Sequence, residues 1–245
     1  MIGADDPGTD VKKQKFVRLE PFYLGKFPVT NALFELFIEK TGYLTTAERQ
    51  GYGTVYFGRY QRDVDRETGL ETYNYNSALK IKTIEGACWY QPLGPGSNLH
   101  NKRNHPVVQV SLEDAIAFAA WTGKRLPTED EWEAASRTSA GHEYPWGGEP
   151  NKESCNLEGA CIGDTTPVDK YSKNVNSLGI TDTIGNIMEW TKDRTEGHPD
   201  GIKGKKSYIV KGGSWISGDN LRLSSRFFSE PGATSNILGF RCVAY

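Results

Sequence analysis

Three stretches of the chain place apolar residues at helical spacing behind a start signal. From Asn31 to Lys40, the residues Leu33, Phe34, Phe37 and Ile38 fall on one face. Thr30 or Asn31 serves as N-cap and Gly42 stands just past the end. A second helix is predicted to open at Ser111, with Asp114 in the capping-box position, and to carry Ile116, Phe118 and Trp121 up to Gly123. A third opens at Thr128, with Glu131 three residues on, and carries Trp132, Ala134 and Ala135. Extended segments are shorter: Phe16 to Leu19 alternates, Pro106 to Val110 is β-branched, and Tyr208 to Val210 leads into Gly212-Gly213. Between Gly51 and Asn104 no period persists, so irregular structure with a few short strands is expected there. A compact domain seldom carries a loop of that length except on a functional surface. No repeat, low-complexity tract, charge block or linker composition interrupts the pattern, so one domain over residues 1–245 is expected.

Composition sharpens this picture. With 27 glycines, 12 prolines and only 2 methionines, the chain suits a loop-rich fold with tight turns better than a helix bundle. The formal net charge of −2 argues against a nucleic-acid partner, which calls for a basic excess. No apolar run approaches the roughly 18 residues of a membrane helix, so no membrane insertion is expected. The opening Met-Ile-Gly-Ala-Asp-Asp-Pro has neither a basic nor an apolar segment, so no signal peptide is expected. The compartment stays open: the cytoplasm and a trimmed longer chain are both compatible. Cys88, Cys155, Cys161 and Cys242 are too few for a disulfide scaffold, and no C-x-x-C occurs. His100, His105, His142 and His198 form no H-x-x-x-H pair. Cys155 and Cys161 could close a short loop under oxidising conditions, although four unpaired thiols is the plainer reading.

All six tryptophans lie in distinctive strings, where they would pin irregular loops to a small core. Trp215 is open to a second role, because it follows two glycines and precedes a polar run.

Five groups of strings, in order, resemble the formylglycine-generating enzyme family, also called the sulfatase-modifying factor domain. They are Pro28-Val29-Thr30-Asn31; His105-Pro106-Val107 leading into Gly123-Lys124-Arg125-Leu126-Pro127-Thr128-Glu129 and Glu131-Trp132-Glu133; and Tyr144-Pro145-Trp146-Gly147. Next comes Gly185-Asn186-Ile187-Met188-Glu189-Trp190, then Gly212-Gly213-Ser214-Trp215 closing with Leu238-Gly239-Phe240-Arg241. The resemblance spans about residues 16 to 243. It implies an α+β fold, a variant of the C-type lectin fold low in regular structure, with two to three helices around small twisted antiparallel sheets.

The same resemblance implies chemistry that this chain lacks. Enzymes of the family hold Cu(I) on two cysteines after Gly-Gly-Ser-Trp, soft thiolates for a soft ion. The corresponding positions here are Ser217 and Leu221, so no copper is expected. The closing cysteine, which in the family pairs near the Glu-Trp-Glu helix, is Cys242 here, opposite Ser136. A branch that uses iron on three histidines draws them mainly from a helical domain absent from this sequence, and His105 sits in a structural string.

What remains is the fold as a scaffold, as in diversity-generating retroelement variable proteins, whose segment between Gly-Gly-Ser-Trp and Gly-Phe-Arg is the binding surface. On that layout the candidate ligand-binding residues are Trp215, Ile216, Ser217, Asp219, Arg222, Ser224, Arg226, Phe227, Phe228, Thr234 and Ser235, joined by the region 51–104. Phe227 and Phe228 are either core or an exposed aromatic contact. The ligand, protein or small molecule, is not named by the sequence. The alternatives are a family enzyme with other chemistry (an oxygen-dependent oxidase, or tailoring of a natural product or protein) and an accessory module of a larger protein. The resemblance also implies structural calcium held by hard oxygen donors. The side chains would be Asp182 and Glu189, with the carbonyls of Gly185 and Ile187. A second site would begin at Asn156 and Leu157, with Asp164 completing it. An Asp–Glu pair simply hydrogen-bonded to loop amides is the plainer alternative.

Overall fold

A computed structural model of the chain describes residues 2–4, 14–65, 67–149, 151–173, 175–195 and 206–245. His198 and most of the opening segment lie outside the described residues. In chain order the elements are β1 (Tyr23–Leu24), α1 (Asn31–Thr41), α2 (Thr46–Gln50), β2 (Tyr52–Phe57), β3 (Tyr60–Val64), β4 (Glu71–Tyr75) and β5 (Lys80–Glu85). Then follow α3 (Leu112–Trp121), α4 (Glu129–Ser136), two 3₁₀ turns at Lys152–Ser154 and Glu158–Ala160, β6 (Met188–Thr195), β7 (Ser207–Lys211), β8 (Phe227–Ser229), β9 (Leu238–Gly239) and β10 (Val243–Ala244).

Each helix begins on a side-chain cap. The Thr30 hydroxyl accepts from the Leu33 amide, and Gly42, in the left-handed region, closes α1 with its amide on the Ile38 carbonyl. Full capping boxes open α3 (Ser111 with Asp114) and α4 (Thr128 with Glu131) at the positions the sequence indicates. A third box, Thr45 with Glu48, opens the single-turn helix α2, too short to show an apolar period. The described residues thus hold four α-helices rather than two to three. On α1, Phe34 and Phe37 are buried as expected, but Leu33 is half exposed.

Within the region 51–104 the expected short strands lie over 52–85: β2 pairs antiparallel with β5, and β3 with β4, two pairs nested in sequence as a two-stranded ribbon, while 86–104 holds turns and no strand. No alternation announced the ribbon because β5 is exposed on both faces, so its side chains carry no inside–outside pattern. Cross-strand partners stabilise the ribbon instead: Tyr60 lies opposite Tyr75 with ring centroids 4.9 Å apart. Phe16 to Leu19 forms no strand, and the first one is the two-residue β1, which pairs with β10. Pro106–Val110 is likewise not a strand: a single backbone bridge ties Pro106 to Thr30.

The principal sheet has the order β8-β7-β6-β9, with β9 parallel to β6 and the other pairs antiparallel. Its largest cluster gathers Phe34, Phe37, Trp89, Phe118, Trp190 and Phe240. A second cluster forms around Trp132 with Cys155, Leu157, Ile184, Leu221 and Leu223, and a third joins Trp215, Ile216 and Ile237. Four of the six tryptophans anchor these clusters; Trp121 is exposed and Trp146 half-buried.

Candidate functional site

The segment after β7 is turned by Gly212 (φ +87°) and Gly213 (φ +63°), both in the left-handed region. At Gly213 any Cβ would stand 2.3 Å from Leu221 Cδ2, so the leucine side chain occupies the space directly over that turn. The Ser214 amide donates to Ser217 Oγ (3.0 Å) and the Ser217 amide to the Ser214 carbonyl (2.8 Å), closing a tight turn. That turn directs Trp215 and Ile216 inward: both are buried, and the Trp215 amide donates to the Asn186 carbonyl. Ser224, Thr234 and Ser235 are buried too. These five shape the surface from beneath, and the partly exposed candidates are Ser217, Asp219, Arg222, Arg226, Phe227 and Phe228.

Some of these residues converge. A cleft of about 310 Å³ is lined by Ile216, Arg226, Phe227, Phe228 and Ser235, together with Tyr56, Met188, Val210, Ser229, Ile237 and Leu238. Val210, Ile237 and Leu238 are buried, whereas Tyr56, Met188 and the two phenylalanines are half-buried. Burial pushes the Tyr56 phenol above its ordinary pKa, so it stays a neutral hydroxyl. Tyr56 lies in the region 51–104 that the sequence joins to the candidate surface, whereas Met188 from β6 carried no functional signal in the sequence. Phe227 and Phe228 are neither core nor fully displayed: their rings form walls of the cleft.

The other candidates lie elsewhere. The Ser217 carbonyl accepts from the Glu158 amide (3.1 Å), and the Asp219 carboxylate rests where a Cβ on Gly159 would be. Arg59, at the junction between β2 and β3, reaches Glu158 at 2.8 Å. Arg222 lies beside the Tyr144 phenol, whose pKa burial raises and Arg222 pulls back. The Ser224 hydroxyl donates to Glu143 (2.6 Å), and Thr234 accepts from the Gln50 side chain (3.1 Å).

Under the cleft runs an ion network that the sequence did not announce. Arg226 pairs with Glu129 (2.8 Å), and Lys211 with Glu133 (3.2 Å) and Glu129 (3.8 Å). Arg137 then bridges Glu133 (2.8 Å) and Glu143 (2.7 Å). Lys211, Glu129 and Glu133 are essentially without solvent. Burial drives the Lys211 pKa down against the upward pull of Glu133 and Glu129. Burial also pushes Glu133 up, but Lys211, the Gly3 amide and Arg137 together outweigh it and hold that carboxyl below its usual range. The network therefore ties α4 to β7 and to the segment that carries Ser224 and Arg226.

The residues expected to hold calcium surround a different hub. Arg241, fully buried, donates to both oxygens of Glu189 (2.6 and 2.7 Å), to the Thr181 carbonyl (2.8 Å) and to the Gly25 carbonyl (3.1 Å). Trp132 Nε1 also donates to Glu189 (2.7 Å), so this carboxylate is already compensated. Asp182 is not. Its carboxylate accepts from Asn186 Nδ2 (2.8 Å), yet burial pushes its pKa up to about 7. Asn186 Oδ1 in turn accepts from Asn156 Nδ2, and Asn156 Oδ1 is buried with no hydrogen-bond partner among the described residues. The Asp182 carboxylate and the Asn156 Oδ1 are thus each a hard oxygen donor short of partners, the chemistry a calcium ion calls for. Glu189, held by Arg241, and Asp164, paired with Lys102, already have partners. Gly185 and Leu157 pack together: a Cβ on Gly185 would meet the Asn156 carbonyl oxygen at 2.4 Å and Leu157 Cδ2 at 3.1 Å. Ile187 is buried beside Gly239. Among the described residues, no three His, Cys, Asp or Glu side chains converge as a metal cluster.

All four thiols are free. Burial pushes Cys155 and Cys242 up to about 12, and Ser136, opposite Cys242 in the family pattern, spends its hydroxyl on the Trp132 carbonyl (2.6 Å). Cys161 is partly exposed. His105 Nδ1 meets Thr165 Oγ1 at 2.9 Å, and burial, reinforced by Lys102, lowers its pKa. No described helix is long and apolar enough to cross a membrane.

A family model described as the sulfatase-modifying factor enzyme 1-like domain matches residues 2–245. The formylglycine-generating enzyme of Thermomonospora curvata is 34% identical over 278 residues, covering 99% of this chain and 89% of that protein. The inactive C-alpha-formylglycine-generating enzyme 2 of Bos taurus is also 34% identical, over 262 residues, covering 99% and 84%. Among solved structures, Treponema denticola variable protein 1 matches with a TM-score of 0.63 at 16% identity, covering 100% of this chain and 93% of that one, a likeness of fold.

Proposed function

The chain belongs to the sulfatase-modifying factor enzyme 1-like family, and we propose that within it this protein is a non-catalytic binding module whose ligand enters the cleft between Tyr56, Arg226, Phe227 and Phe228. The observation that carries this reading is the donor set after Gly-Gly-Ser-Trp. No cysteine occurs between Cys161 and Cys242, the Ser217 hydroxyl is held by the Ser214 amide, and Leu221 places a hydrocarbon over Gly213. A hydroxyl and an isobutyl group offer Cu(I) no soft donor, so the family's oxidase chemistry has no seat there. That one similar relative is named inactive fits the same reading.

The cleft supports binding by its shape and lining. Half-buried aromatic rings stand over a buried aliphatic floor, and the one charged group among the described lining residues, Arg226, is neutralised by Glu129. Such a site suits a neutral apolar group, and about 310 Å³ lies at the small end of ligand clefts. An aromatic ring, free or carried by a protein partner, is the fitting occupant. Ligand-observed NMR with indole and phenol tests this. Saturable signals that disappear when the rim is filled by Ser229→Trp support the site. Signals of equal strength in that variant, or none in the native protein, overturn it.

Calcium is the cofactor we propose, in a structural role. Asp182 and Asn156 would supply oxygen ligands, and a bound cation would relieve the burial of the Asp182 carboxylate.

A further inference from the structure

Helix α1 leaves part of its apolar pattern uncovered. Leu33 is 51% exposed and Leu36 41% exposed, and both face a groove shared with Trp121 at the end of α3, 40% exposed, and Tyr23 of β1, 76% exposed. This groove, of about 710 Å³, is separate from the Tyr56–Phe228 cleft and shares no lining residue with it. Its walls are mostly apolar, with buried Phe118, Val29 and Cys242 among them, and Thr30, Asn104 and Thr122 adding polar atoms. Among the described residues, the charged side chains that line it are Lys26 and Lys124, and no Asp or Glu does. Neither lysine joins a salt bridge among the described residues, and the Lys26 ammonium lies 5.2 Å from the centre of the Phe27 ring.

We propose that this groove binds an amphipathic anion: a medium-length alkyl chain ending in a carboxylate, with the chain along Leu33, Leu36 and Trp121 and the head group between Lys26 and Lys124. The choice of occupant rests on charge and size. An apolar trough with two cations and no carboxylate among its lining side chains repels a cationic amphiphile and attracts an anionic one. A volume of about 710 Å³ falls within the range of small-molecule clefts lined by apolar groups with a few polar anchors. Unlike the Arg226 guanidinium in the other cleft, these ammonium groups are not neutralised by a described carboxylate.

The test is titration calorimetry of the full chain with octanoate, decanoate and dodecanoate below their micelle-forming concentrations, with decyltrimethylammonium as the charge-reversed probe. Saturable 1:1 binding is expected, tightening roughly fourfold per added methylene until the groove is filled. Decanoate should bind roughly tenfold more tightly than decyltrimethylammonium, and Lys26→Gln with Lys124→Gln should abolish that preference. Leu33→Asn, at an exposed position, should weaken all three carboxylates alike. The proposal is overturned by the absence of saturable binding, by equal affinity for the cationic probe, or by a charge preference that survives the double lysine variant. It is also overturned if sedimentation shows a dimer that Leu33→Asn dissociates, because a second copy then covers the face.

Discussion

Replacing Lys211 by methionine tests how the cleft is held. The native network sets three cations (Lys211, Arg137 and Arg226) against three carboxylates (Glu129, Glu133 and Glu143). Lys211→Met keeps most of the side chain's apolar stem but leaves one uncompensated negative charge where Glu129 and Glu133 have almost no solvent. Removing one partner of a buried pair costs about 3–5 kcal/mol. Glu133 keeps Arg137 and the Gly3 amide, and Glu129 keeps Arg226, so the lower end, about 3 kcal/mol, is expected. That is a large share of a typical stability of about 5–15 kcal/mol. Adding Glu129→Gln restores the charge balance and frees Arg226, a quarter of whose side chain already meets solvent. The double variant should therefore be at least about 1 kcal/mol more stable than the sum of the single effects. Urea unfolding followed by tryptophan fluorescence reads this directly, since the Lys211 ammonium lies 5.8 Å from the Trp132 ring. Acid adds a second reading. The Glu133 carboxyl is held below its ordinary 4.5, so its contribution is present above that pH and is lost as pH falls through the folded value. Without Lys211 the loss should begin at higher pH. A cost under about 1 kcal/mol in Lys211→Met, or strict additivity in the double variant, would refute the reasoning.

Other consequences follow from single features. Thermal unfolding after thorough chelation should lower the midpoint by several degrees, with calcium restoring it in the native chain but not in Asp182→Ala; an unchanged midpoint removes calcium from the account. Under a thiol reagent at pH 8, Cys161 should react in the folded protein and Cys155 and Cys242 only on unfolding; rapid native labelling of either buried thiol would contradict the packing. Those two thiols titrate near 12 when folded against 9.0 in the ordinary thiol, so the folded state holds more protons between the two values and stability should fall as pH rises from about 9 to 12. Gly213→Ala forces a Cβ onto Leu221 at φ +63° and should cost at least about 1–3 kcal/mol by chemical unfolding; a neutral result would show that the turn can relax.

What the sequence revealed depended on how local the physics was. The capping boxes at Ser111–Asp114 and Thr128–Glu131 are written in four consecutive residues each, and both helices begin where those residues indicate. The glycine turn after Lys211 was equally legible, because only glycine tolerates both the positive φ and the close leucine. The ribbon was less so: β2 buries Gly53 and Val55, but its partner β5 is exposed on both faces and has no burial period to read. The site was half legible. Ile216, Arg226, Phe227, Phe228 and Ser235 come from one sequence segment; Tyr56 was marked only as part of the region 51–104, and Met188 reaches the cleft through tertiary pairing that no local pattern records. Leu33 misled in the instructive direction: it completes an apolar face on paper, yet the core takes Phe34, Phe37 and part of Ile38 and leaves Leu33 over the Lys26–Lys124 groove.

The central claim is that the surface after Gly-Gly-Ser-Trp binds and does not oxidise. The direct measurement supplies the purified chain with Cu(I), oxygen and a cysteine-containing peptide, follows the peptide by mass spectrometry, and runs an anaerobic control alongside. With Ser217 and Leu221 in place, the account predicts an unmodified peptide under both atmospheres. Oxygen-dependent conversion of the peptide cysteine would contradict it.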